Sequence, residues 1–328
     1  MLKAQEDAQD RRAVFRQIIA EIIAKIIAEI IAETIAETIT EEHMSLDEKA
    51  VSGIKVDLLT PLETEEKLEG VAQGKTAMPL LKAILLGIMA GLFIGMGGMM
   101  LTLVLSDATI PFIAQRLLGG LSFCIGLLLV ILAGAELFTG NVLIIMATLS
   151  GKVSWKAFIK NLVIIWIANF IGSLIAAAIV FYANVGALNS GAVGDVFINL
   201  AATKVTIPPL TMFVKAILCN FLVCLAVWMA SAGRTLADKF FAILFPITAF
   251  VAAGGEHSIA NMFFLPLGFF QKLAGGAVSE AAIAAADKID VVGIFYNLGM
   301  VTLGNLVGGI VLVGLMYWLA LRLPARKR

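Results

Sequence analysis

The chain is constrained above all by a series of apolar runs too long for a soluble core. From Pro79 onward there are six: Leu80–Leu105, Leu117–Leu149, Phe158–Ala183, Leu210–Ala232, Phe240–Phe270 and Val291–Leu321. About 20 apolar residues in a helix cross ~30 Å of hydrocarbon, so each run is long enough to span a bilayer. With 60% of residues hydrophobic and 15% charged, the chain does not have the composition of an ordinary soluble domain. The expectation is an all-α integral membrane protein with six spans, and the lipid bilayer is its first partner. A formal net charge of zero gives no sign of nucleic acid. Cys124, Cys219 and Cys224 lie in apolar segments away from histidine or acidic clusters, and read as buried thiols.

The second and fifth runs exceed the spanning length, and each carries a Gly-rich polar interruption. These are GAELFTGN (Gly134–Asn141) and GGEHSIAN (Gly254–Asn261). Glycine, glutamate and asparagine recur at matching positions. In the following spans Asn161, Asn169 and Gly172 recur as Asn297, Asn305 and Gly308, with the same spacings of eight and three. Lys-Ala-Ile-Leu occurs in both preceding spans, at Lys82–Leu85 and Lys215–Leu218. Spans one to three therefore read as repeated in four to six. Because three is odd, the second copy enters from the other side, giving an inverted repeat with spans two and five broken. In such a fold the two interruptions face each other near the midplane.

Irregular backbone at membrane depth must be buried in protein or line a cavity. Gly134 and Gly254 fit that backbone. Glu136 and Glu256 occupy equivalent positions, which favours a structural role, with their carboxylates accepting from N–H groups freed at the broken turns. Asn141, Asn261, Asn169 and Asn305 are expected to bond between helices. His257 differs, because its counterpart is Leu137. That asymmetry points to function: a donor or proton source for an anion, on the one side chain that changes charge near neutral pH without a large shift.

Lysine and arginine fall mainly in alternate connections: Lys152, Lys156 and Lys160; Arg234 and Lys239; and the tail from Arg322 through Arg326, Lys327 and Arg328. The opposite connections hold Arg116, Lys204, Lys272 and Lys288. The positive-inside rule then makes both termini cytoplasmic. Residues 1–43 stand apart. Their Ile-Ile-Ala tetrads advance about 40° beyond a full turn per unit and make no straight stripe. They end at His43-Met44, ahead of a plausible start, MSLDEKA. We expect a designed or cloning-derived helical leader there, an N-terminal cytoplasmic segment over 44–78, and the transport domain over 79–328.

AELFTGN, CNFLVCLAVWMA, GGEHSIANMFF and VTLGNLVGG resemble the signature segments of the formate/nitrite transporter family, in order, from about Asp57 to Tyr317. The resemblance implies an aquaporin-like fold in the inner (plasma) membrane, assembled as a homopentamer with one pore per protomer. It implies passage of a small monovalent anion, formate, nitrite or hydrosulfide, with no cofactor and no enzymatic reaction. It also implies site residues. Phe123, Leu127, Leu137, Phe138, Val223 and Phe250 match two hydrophobic constrictions, and Thr139 and His257 match the polar pair between them. Asn220 matches the pore asparagine near the histidine, and Lys204 the basic residue that draws anions to the periplasmic mouth. Thr139-Gly140-Asn141 departs from the Thr-Ser-Thr of some formate members. Gly255 replaces a bulky aromatic often found before the Glu-His pair.

On this reading an anion drawn by Lys204 and held by Thr139 and Asn220 is neutralised or hydrogen-bonded by His257 before it crosses the apolar rings. A water or neutral-solute channel of aquaporin type would carry paired Asn-Pro-Ala motifs, and neither interruption has the proline. An intramembrane hydrolase built on Glu256 and His257 would need further ligands or a nucleophile. No His-Glu-x-x-His or Gly-x-Ser-x-Gly arrangement supplies them.

Overall fold

The computed structural model describes residues 57–322, with Lys25 alone from the preceding stretch; the rest of the leader expected over 1–43 lies outside the described residues. The first helix, α1 (Pro61–Ala77), starts on a capping box. Thr60 accepts from the Glu63 N–H, the Glu63 carboxylate accepts from the Thr60 N–H, and Pro61 occupies the first helical position, where its missing N–H costs nothing. Then follow α2 (Leu80–Leu105), α3 (Phe112–Leu132), α4 (Phe138–Leu149), α5 (Trp155–Tyr182), α6 (Ala192–Val205), α7 (Pro209–Ala232), α8 (Leu236–Ala252), α9 (Ser258–Leu273), α10 (Glu280–Ala286) and α11 (Val291–Arg322).

Among the described residues five helices are long and apolar enough to cross a membrane: α2, α3, α5, α7 and α11. The second expected run is divided between α3 and α4. The fifth is divided between α8 and α9, whose halves are individually shorter. Two boundaries differ from expectation. α3 begins at Phe112, so Arg116 is a helix residue and not part of a connection, and Lys204 likewise ends a helix, α6. A reading by apolar runs stops at a charge; a helix does not.

α2 packs on α3 and α5, and α7 on α8 and α11. Both sets are close enough to need glycine. A Cβ on Gly172 would lie 2.0 Å from the Ile88 carbonyl oxygen, and one on Gly308 would lie 2.3 Å from that of Ile217. Small residues that let backbones approach are how helices associate where lipid offers no hydrophobic drive.

α1 packs with this bundle in one compact unit that begins at Asp57. It also gathers three connections at one end of the molecule. Glu69 accepts from Ser150 and from Lys152 at 2.5 Å, Glu65 and Glu69 both take Arg322, and Lys67 donates to the Ser231 carbonyl. The α4–α5 and α7–α8 connections and the end of α11 therefore share a side.

Candidate functional site

The two interruptions are built alike. Gly134 and Gly254 have φ of +82° and +73°, the left-handed conformation open to glycine at little cost. Each closes its helix with a bond from the next residue back to a carbonyl five positions earlier, Ala135 to Val130 at 2.9 Å and Gly255 to Phe250 at 2.8 Å. The next N–H crosses to another helix: Glu136 donates to the Leu86 carbonyl at 3.2 Å, and Glu256 to that of Lys215 at 3.3 Å.

A buried asparagine then staples each break. Asn169 Oδ1 accepts from the Phe138 N–H at 2.9 Å, and its amide nitrogen donates to the carbonyls of Gly87 and Glu136. Asn305 accepts from the Ser258 N–H at 2.8 Å and donates to Ala216 and Glu256. The glutamate carboxylates were expected to take these freed N–H groups and do not. Glu136 instead accepts from Lys75 at 2.9 Å and Asn141 at 2.8 Å, and Glu256 from Lys204 at 2.9 Å and Asn261 at 2.7 Å. Asn141 donates on to Asn161, and Asn261 to Asn297. Each buried carboxylate thus meets a lysine, so that neither charge is left without a counter-charge.

Lys75 is the residue that sequence reasoning missed. A signal was present: lysine followed by proline four positions later, Lys75–Pro79 and Lys204–Pro208, 129 residues apart. The contacts repeat at the same offset, with Leu86, Gly87 and Ile88 answered by Lys215, Ala216 and Ile217. The two Lys-Ala-Ile-Leu segments are 133 apart, one helical turn out of that register, and do not correspond.

Between the breaks, Thr139 and His257 meet. Thr139 Oγ1 lies 2.9 Å from His257 Nε2, and both side chains are buried. His257 caps α9, its Nδ1 accepting from the Ala260 N–H at 3.1 Å. A nitrogen that accepts carries no proton, so the neutral ring has its proton on Nε2, which donates to Thr139. The Phe250 ring stacks on the imidazole at 6.1 Å and meets Phe123 edge-on at 5.8 Å.

Two clefts flank the pair. One is lined by Phe123, Phe250, His257, Lys204, Glu256 and Asn261, the other by Leu127, Leu137, Gly140, Asn141 and Lys75. The expected apolar residues thus separate into an aromatic set and a leucine set, with two exceptions. Phe138 lines a wholly apolar groove between α5 and α11, because it sits about 100° around the helix from Thr139. Val223 is buried on α7 and lines neither cleft. Asn220 is also in neither. Its amide nitrogen donates to the Asn305 carbonyl at 2.7 Å, while Oδ1 has no partner among the described residues. Lys204 is not an open charge at a mouth: it is 9% exposed, paired with Glu256, and 5.5 Å from the Phe264 ring centre. Among the described residues, the cations of that cleft without a carboxylate partner are Arg116 and Lys215.

The model of the formate/nitrite transporter family matches residues 62–319. The chain is 36% identical over 268 residues to the formate channel FocA of Escherichia coli K12, covering 80% of this chain and 94% of that protein. It is 38% identical over 233 residues to the nitrite transporter NirC of the same strain, covering 71% and 81%. Among solved structures, an FNT family ion channel superposes with a TM-score of 0.69 at 33% identity, covering 79% of this chain and 99% of that one. A pentameric formate channel with formate bound gives 0.66 at 37% identity, covering 74% and 97%.

Proposed function

The chain belongs to the formate/nitrite transporter family, and we propose that it passes small monovalent anions, formate first among them, through a pore in each protomer of a homopentamer. The observation that carries this reading is the buried Thr139–His257 pair, set between an aromatic-lined cleft and a leucine-lined one. Relatives named as formate channels make formate the first substrate, and the likeness to NirC makes nitrite the second. The pentamer is inferred from a solved relative that is one.

We read the fold as six spans in two inverted three-helix repeats. The paired lysine–glutamate–asparagine sets support that reading, as does the 129-residue offset that Lys75 and Lys204 share with the carbonyls of Gly87 and Ala216. The side that α1 gathers carries Lys152, Lys156, Lys160, Arg234, Lys239 and Arg322, so the positive-inside rule puts it and both termini in the cytoplasm of a plasma-membrane protein. The Lys75 cleft is then the inner one and the Lys204 cleft the outer.

An anion stripped of water in an apolar ring is strongly disfavoured. The His257 Nε2–H and the Thr139 hydroxyl offer polar contacts between the rings, replacing lost hydration. Protonating His257 would put a hydrogen on Nδ1 facing the Ala260 N–H and cost the α9 cap. His257 therefore acts here as a hydrogen-bond donor to the anion and not as the source of a proton. Lys75–Glu136 and Lys204–Glu256 hold the breaks in place.

The test is uptake of formate, nitrite and hydrosulfide into proteoliposomes under an imposed pH gradient, for wild type and His257→Asn. The expected result is formate uptake by the wild type and its loss in the variant. Equal flux of all three in both proteins would overturn the role of His257. Water or glycerol flux without anion flux would favour a neutral-solute channel.

A further inference from the structure

The Lys204 cleft holds more positive charge than its ion pair uses. Arg116, Lys204 and Lys215 all line it, and Glu256 is the one carboxylate among its lining residues. That carboxylate is committed, one oxygen to Lys204 and the other to Asn261. Arg116 donates Nε to the Ala252 carbonyl and Nη2 to that of Val251, both at 2.9 Å, capping the end of α8. These are neutral acceptors, and neither Arg116 nor Lys215 has an ion-pair partner among the described residues. Lys215, half-buried on α7, makes no side-chain hydrogen bond to a described residue.

The two cations converge on one point of backbone. A Cβ built on Gly254 would lie 3.2 Å from Arg116 Nη2 and 3.8 Å from Lys215 Nζ. The two nitrogens are therefore no more than about 7 Å apart, inside the Debye length at physiological salt. Gly134, the counterpart, has nothing within 4 Å of the same position, so the convergence belongs to one half of the molecule only. Gly255, the next residue, is held tightly, since a Cβ there would sit 3.1 Å from both Cys219 Cβ and the Phe250 carbonyl oxygen. Like charges held this close against apolar walls focus a field that draws an anion between them.

We propose that Arg116 and Lys215 form an anion-binding subsite at Gly254, separate from the Lys204–Glu256 pair, that captures a small monovalent anion ahead of the Phe123–Phe250 ring. Phe123, Phe250 and His257 line the same cleft, so an anion held there lies on the approach to Thr139. The Lys204 charge is answered by Glu256; the Arg116 and Lys215 charges are not. The sense of traffic rests on the transport reading, but the binding does not.

Two measurements on the full chain test this. In proteoliposomes, Lys215→Gln should raise the half-saturating formate concentration for entry from this cleft by about five-fold and flatten the dependence on ionic strength. Lys215→Arg should restore both. An unchanged half-saturation and salt dependence in Lys215→Gln would overturn the subsite. In crystals soaked with bromide, anomalous density is expected between Arg116 and Lys215 of the wild type and not of Lys215→Gln. Density that persists in the variant marks an adventitious ion only and rejects the proposal, as does its absence from the wild type. If the wild type moves no formate at all, the transport reading fails and the bromide experiment still decides the subsite.

Discussion

Thr139 and His257, 118 residues apart in sequence, meet at 2.9 Å as two buried side chains, and the other ring nitrogen of His257 is committed to the Ala260 N–H. The pair therefore joins α4 to α9 and fixes the histidine tautomer at the same time.

Thr139→Val keeps the shape and removes the acceptor, leaving the Nε2–H buried and unpaired. The expected cost is about 1–3 kcal/mol, with formate flux falling sharply. Thr139→Ser keeps the hydroxyl and should retain most of both. Thermal midpoints in detergent and initial flux in vesicles would check this. A valine variant as stable as the serine one would mean that the contact carries little.

Gly308→Ala puts a methyl 2.3 Å from the Ile217 carbonyl oxygen, a backbone atom that cannot step aside without moving α7 from α11. Overpacking of this kind costs about 1–3 kcal/mol or more. Gly299→Ala, on the same helix with nothing within 4 Å, should be neutral or slightly stabilising. The comparison is read from thermal midpoint and monodispersity. Equal behaviour of the two variants would remove close helix contact as the reason for Gly308.

Asp238 carries a predictable pH dependence. Its carboxylate accepts from the backbone N–H groups of Thr235 and Arg234, and these bonds, Thr235 first, hold its pKa below the ordinary value. A lowered native pKa stabilises above the unfolded value of about 3.9 and is lost as pH falls through the native one. Asp238→Ala should therefore be less stable than wild type at pH 7, with the difference closing below about pH 4. Melts of the two proteins across that range check it, and a gap that widens in acid would contradict the assignment.

What the sequence made legible was whatever repeated. Asn169 and Asn305 stood out because each break needs the same staple at the same distance, and the geometry repeats down to single atoms. Lys-Ala-Ile-Leu misled because four-residue matches are cheap in apolar helices, whereas Lys75 and Lys204 share a spacing to proline that a search for identical words passes over. Phe138, which the family resemblance set in a constriction, lines the groove between α5 and α11, since it points about 100° around the helix from Thr139. Arg116 and Lys215 left no trace, because a subsite confined to one half has no echo in the other. For His257 the missing echo was itself the signal, since a histidine opposite a leucine is conspicuous within an otherwise matched motif.

The Lys204–Glu256 pair provides the sharpest test of the structural reading. Its side chains are 11% and 5% exposed, and Glu256 also holds Asn261. Removing one partner leaves a buried charge without its counter-ion, so Lys204→Met or Glu256→Gln alone should destabilise by about 3–5 kcal/mol. Lys204→Met leaves a bare carboxylate and should be the worse, because Glu256→Gln keeps an amide able to face Asn261. The double variant removes both charges and should recover much of the loss, a coupling that a double-mutant cycle isolates. Thermal midpoints and the yield of intact oligomer give the four corners. Additive losses would mean that the two residues act independently, Lys204 through the charge of the cleft and Glu256 through its asparagine alone.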